Sequence, residues 1–247
     1  MSYKALVMRK PEQAPTKTQS RARKTATRTT SPRAGRGRRA SRAEATPYHH
    51  GALRDALLEA AERVLERDGL PGLTLRAVAR EAGVSHAAPT HHFGDLTGLV
   101  SELAAIGFRQ FNAAMAAACG SGELSINARA MARAKAYVAY AQAHPGMYGL
   151  MFRTERLDYS RPSLHEAAET SFAGLAGAIA AKRQETISED ALTLDQAAAI
   201  ARAWSLVHGF TMLLLDGRLQ DILDRLPEGG SAELLLDAML KTTVAKD

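Results

Sequence analysis

Apolar residues recur at intervals of three and four through most of the chain, and no segment alternates for long. Leu53, Ala56, Leu57, Ala60, Ala61, Val64 and Leu65 form one stripe of a helix. Gly69 is placed to end that helix, and Pro71-Gly72 to turn the chain. Thr74 stands as an N-cap before a short helix over 75–82, which Gly83 stops. Ser85 stands as the cap of a second short helix over 86–93, with Pro89 at its fourth position. Asp95 caps a longer helix from 96 to about 118. Further helices are predicted over 126–144, 147–153, 163–185 and 193–216, and from Ser231 onward, where Leu234, Leu235, Leu236, Met239 and Leu240 gather. The pattern predicts an all-α protein of about nine helices.

Two short helices joined by a tight glycine turn are the frame of a helix-turn-helix. Ala79 is small where the two must approach, and Gly83 supplies the left-handed turn. Val78 and Val84 are apolar and pack the pair onto the first helix. The second helix would then present its N-terminal half to a major groove, while both helix starts offer N–H groups to phosphates.

The run Thr74-Leu75-Arg76-Ala77-Val78-Ala79-Arg80-Glu81-Ala82-Gly83-Val84-Ser85, followed by His91-His92-Phe93-Gly94-Asp95, resembles the N-terminal domain of TetR-family regulators. That resemblance implies an all-α dimer that represses genes and releases DNA when a small ligand enters its C-terminal domain. The segment Trp204-Ser205-Leu206-Val207-His208-Gly209 resembles a subgroup with Trp-x-x-x-His-Gly in its eighth helix. Tyr48-His49-His50-Gly51 and the stretch from His144 to Phe152 fit the same subgroup. By position, the resemblance gives Thr74 a phosphate, with Arg76 beside it. It sets Ser85, His86, Ala87 and Ala88 against base edges or flanking phosphates, His91 next to them, and His92 against a phosphate. Thr90 stands where the family usually has Tyr, and Leu96 where it usually has Lys. Both departures weaken anchoring to the DNA backbone.

Charge changes this picture. Of the chain's net +6, residues 1–46 carry 13 Lys+Arg against 2 Asp+Glu, so the remainder has 19 basic and 24 acidic residues. Residues 47–95 hold only five basic residues against seven acidic ones. The expected organisation is a disordered basic arm over 1–46, a DNA-binding domain over 47–110, and an effector-binding and dimerisation domain over 111–247. The arm either touches phosphates without regard to sequence or is a passive extension. The first of these leaves an alternative function open, a nonspecific or architectural nucleic-acid binder.

The lone Cys119 forms no internal disulfide and suits a reducing compartment. No signal segment and no apolar run of membrane-spanning length is read, so a cytoplasmic protein is expected. No nucleophile motif, carboxylate pair or nucleotide-binding glycine loop argues for an enzyme or a cofactor. His49, His50, His86, His91 and His92 cluster without a Cys or carboxylate at ligand spacing, and no metal site is expected. Nine residues are candidates for an effector pocket: Tyr137, Tyr140, Met147, Tyr148, Met151, Phe152, Phe172, Trp204 and His208. They suit a small, mostly apolar effector with one or two polar groups, and ordinary core packing is the competing fate of each. The helices over 193–216 and 231–244 carry surplus apolar surface. The resemblance makes them the seam of a homodimer on a palindromic operator, with Leu235 and Met239 as candidates to face it.

Overall fold

The computed structural model describes residues 50–120, 124–152, 154–188 and 190–244. The basic arm and the Tyr48-His49 pair lie outside the described residues. Within them there are helices and no strand. In chain order these are α1 (His50–Gly72), α2 (Leu75–Glu81), α3 (Ala88–Phe93), α4 (Leu96–Ala117), α5 (Ile126–Ala143), α6 (Pro145–Met151), a 3-10 turn (Thr154–Arg156), α7 (Pro162–Arg183), α8 (Leu194–Leu215), α9 (Gln220–Leu223) and α10 (Ala232–Val244).

Side-chain caps start most of the helices that define the architecture. Thr74 Oγ1 accepts from Ala77 N at 3.1 Å, and Asp95 Oδ1 from Gly98 N at 2.8 Å. Ser125 caps α5, and Thr193 closes a reciprocal capping box with Gln196 at the start of α8. Ser231 Oγ accepts from Leu234 N ahead of α10. At Gly69 the backbone turns left-handed, with φ 67°, so the regular part of α1 ends where the sequence places its cap.

Three boundaries differ from the sequence pattern. Ser85 does not cap α3 with its side chain. Its carbonyl instead accepts from Ala88 N in a turn, and the helix begins at Ala88 with Ala87 as its cap. Starting later moves Pro89 into the first turn, where its missing N–H costs nothing. Pro145 likewise opens α6 rather than merely ending α5. The four-residue α9 is too short to show any period, so no sequence pattern marks it.

One buried cluster runs from Leu57 and Val64 of α1 through Val78, Phe93, Leu99 and Leu103 to Met147, Leu164 and Ala168. Residue 110, the expected domain boundary, falls inside α4, and this core continues across it. A smaller cluster joins Val138, Phe210, Leu219 and Leu236, with Leu235, Met239 and Leu240 packed on it. Leu235 and Met239 are therefore engaged within the chain, whereas Leu213 and Leu234 are 43% and 56% exposed. By length and composition α8 is apolar enough to cross a membrane, where no such segment was expected. One apolar side of it packs on α5 and lines a cavity, while Met212 and Leu213 are exposed.

Candidate nucleic-acid interface and interior cavity

The α2–α3 pair is held by its own backbone. Gly83 adopts φ 67°, and the next amide, Val84 N, returns to Ala79 O at 3.0 Å. Val78 and Ala79 are fully buried against the rest of the head. This leaves Thr74, Arg76, Ser85, His86, Ala87, Thr90 and His91 exposed, with Ala88 and His92 half-buried. All nine sequence-predicted DNA residues thus lie on or beside the two short helices. Thr74 is committed to capping Ala77 N, yet its other lone pair and hydroxyl proton face solvent. Arg63 and Arg67 are instead paired with Glu81, at 3.0 and 2.9 Å. Those hydrogen bonds hold the Glu81 carboxyl below its usual range. Leu96, where a lysine is usual, packs on the core beside α3.

The head is fastened to the body through α4. Arg161, which precedes α7, donates to Phe93 O at 3.2 Å and to Glu102 Oε1 at 3.4 Å. Glu102 Oε2 in turn accepts from Arg54 of α1 at 2.6 Å, and the Arg54 guanidinium lies 5.5 Å from the centre of the Phe93 ring. Buried Ser101 accepts from Asp158 N at 2.9 Å. At Gly98 a Cβ would meet Phe93 O at 2.0 Å, so α3 and α4 touch backbone to backbone. At Gly107, lower down, the neighbour is a side chain of α6: Met147 Sδ lies 2.7 Å from where a Cβ would be.

Below that seam, α4, α5, α7, α8 and α10 line a partly open cavity of about 1310 Å³. Of the nine predicted ligand residues, Tyr137, Phe152, Phe172 and Trp204 line it. Tyr140, Met147, Tyr148 and Met151 are buried core instead: Tyr140 points from α5 to the Gly107 carbonyl of α4, to which it donates at 3.1 Å, and α6 packs the other three against α1 and α4. His208 sits behind the wall in a polar cluster. The Tyr148 and Tyr137 hydroxyls lie 3.1 Å apart, and both face His208 Nδ1, at 2.8 and 3.0 Å. Burial pushes the Tyr137 hydroxyl up to about 12 and lowers the His208 imidazole below its ordinary value. A neutral ring accepting at Nδ1 carries its proton on Nε2. Sequence reasoning missed much of the lining, including Phe108, Phe111 and Met115 of α4, Met131 and Arg133 of α5, and Leu175 and Ile179 of α7. Their apolar members were legible only as helix stripe, with no sign of whether a face meets core or cavity. Among the described residues no three His, Cys, Asp or Glu side chains come together as a metal site.

A short helix pair with a glycine turn, seated on a helical body with a large cavity, defines a helix-turn-helix regulator of transcription. Residues 57–103 match the bacterial regulatory proteins of the tetR family, and residues 130–239 match the tetracyclin repressor-like C-terminal domain. The chain belongs to the TetR family of DNA-binding transcriptional regulators. It is similar to a protein with unknown function from Rhodococcus sp. RHA1, with 35% identity and a TM-score of 0.63 over 79% of this chain and 95% of that one. It shares the fold of PfmR, a TetR family transcriptional regulator from Thermus thermophilus, with 16% identity and a TM-score of 0.51 over 76% of this chain and 97% of that one. The transcriptional regulator FadR from Bacillus subtilis, solved with stearoyl-CoA, aligns at 13% identity and a TM-score of 0.56 over 78% of this chain and 98% of that one. No curated protein matches.

Proposed function

We propose that this regulator is a cytoplasmic repressor that binds a palindromic operator as a dimer and releases it when a largely apolar effector fills the cavity. The observation that carries the reading is the cavity itself. It is larger than the roughly 300–1,000 Å³ of ordinary small-molecule sites, and it lies against the same helix, α4, that abuts the recognition helix. Residues 47–110 act as the DNA-reading unit and 111–247 as the effector and dimer unit, with α4 shared between them. Thr74, Arg76, Thr90 and His92 hold phosphates, while Ser85, His86, Ala87, Ala88 and His91 lie along the groove. The Trp-x-x-x-His-Gly stretch of α8 supports membership of that subgroup, since it supplies Trp204 to the cavity and His208 to the tyrosine cluster. A ligand acts only through a difference in affinity between the two conformations. The test is selection from random DNA followed by a release assay. A symmetric enriched motif, and loss of binding with a ligand that also raises the melting temperature, support the reading; no symmetric motif sinks it.

A further inference from the structure

The sign of the charge around the cavity does not match that of the domain enclosing it. Residues 111–247 hold 13 basic and 16 acidic side chains. The cavity wall holds five basic ones, Arg133, Lys182, Arg183, Arg202 and Lys241, and one acidic, Asp195. Asp195 is itself bound to Arg183. Acidic residues are thus kept off this surface while the rest of the domain carries a surplus of them.

Arg133 stands out among the five. It is half-buried in the wall, on α5, between the end of α4 and the middle of α7. Its Nε reaches Cys119 Sγ at 3.3 Å, and its Nη1 donates to Gly174 O at 2.9 Å. These two contacts fix the plane of the guanidinium, but neither partner carries a negative charge. Among the described residues no carboxylate lies within ion-pair distance of it. A partly desolvated guanidinium without a counter-charge is costly, and its planar fork suits a carboxylate or phosphate better than any other group. Around it the wall is apolar, from Phe111, Met131, Leu175 and Trp204.

We infer that the effector is an amphipathic anion, with a long apolar tail in the aromatic part of the cavity and an acidic head on Arg133. The inference rests on the cavity being the effector site, and it adds the charge of the ligand to that reading. The carboxylate or phosphate supplies the opposite charge that the fold withholds, in a setting where charge-assisted hydrogen bonds are about twice as strong as neutral ones.

The test uses the full chain and three probes of equal tail length: dodecanoate, dodecyl phosphate and dodecanol. Calorimetry should show at least one of the two anions binding tenfold or more tightly than the alcohol; which anion wins identifies the head group. Arg133→Gln should remove most of that preference and leave dodecanol binding unchanged. Arg133→Lys should keep part of it, and a melting curve for each variant checks folding. Equal affinity for all three probes overturns the inference, as does a preference that survives Arg133→Gln in a folded protein. So does binding of none of them. Operator binding, measured in the same samples, separates the two readings: an Arg133-dependent preference with no effect on DNA keeps the ligand class and refutes the effector role.

Discussion

Glycine is required at two kinds of position in this chain, and they fail differently. At Gly83 the backbone is left-handed, and an added Cβ would touch nothing within 4 Å. Gly83→Ala should therefore cost only the conformational strain, roughly 1–2 kcal/mol, read as a lower urea midpoint with little change in slope. At Gly98 the conformation is ordinary and the space is not, since the new carbon would strike the Phe93 carbonyl. Gly98→Ala should cost about 1–3 kcal/mol and also lower operator affinity, because it pushes α3 off α4. The short distance to Phe93 O makes Gly98 a close-packing position rather than a bend. His208 gives a residue-scale pH dependence. Its folded pKa is depressed by burial, so near pH 6.5 and below the unfolded chain takes a proton that the folded chain resists. Stability should be fully present above that pH and decline as pH falls through the window below it. The decline should be smaller in His208→Gln, measured by thermal melts across that range.

At the scale of elements, most helices were legible because their signals are local. A cap such as Thr193 with Gln196, or a stop such as Gly69, acts within a single turn. What sequence could not supply is which face of a helix meets which neighbour. Tyr140, Met147 and Met151 share the composition of a binding wall, and α6 turns the two methionines into core by packing between α1 and α4. Proline was ambiguous for a related reason: Pro89 reads as the fourth position of a helix and Pro145 as a break, and each sits in the first turn of a helix, where it is tolerated. The join between α3 and α7 was invisible, since Phe93 and Arg161 are 68 residues apart. Arg161→Met removes a charged donor from the Phe93 carbonyl and leaves Glu102 with Arg54 alone. It should cost about 1–3 kcal/mol, and amide exchange should quicken in α3 while α5 and α8 keep their protection.

For the whole molecule, assembly and DNA affinity are the quantities to measure. Leu213 and Leu234 present apolar surface that the described residues leave open, so Leu213→Glu or Leu234→Glu should give folded monomers in sedimentation. Leu235→Glu and Met239→Glu should instead unfold the body, since both side chains pack on the Phe210–Leu236 cluster. Deleting residues 1–46 should flatten the salt dependence of operator binding by roughly 0.9 in log–log slope for each phosphate the arm no longer neutralises; an unchanged slope assigns the arm no role on DNA.

The helix α4 also bears on how such a protein changes over generations. Its first half, with Gly98, Leu99 and Leu103, builds the head, and its second half, with Phe108, Phe111 and Met115, walls the cavity. No cavity-lining residue is among those offered to DNA. Substitutions in the lower half can therefore explore new ligands while the operator stays the same, and substitutions on α3 can explore new operators under the same ligand. The contact of Gly98 with the Phe93 carbonyl ties α3 to the helix that also walls the cavity, and it leaves no room for a Cβ at Gly98. Lineages descended from this chain should diversify at both ends of α4 independently and keep glycine at position 98, where α3 meets α4.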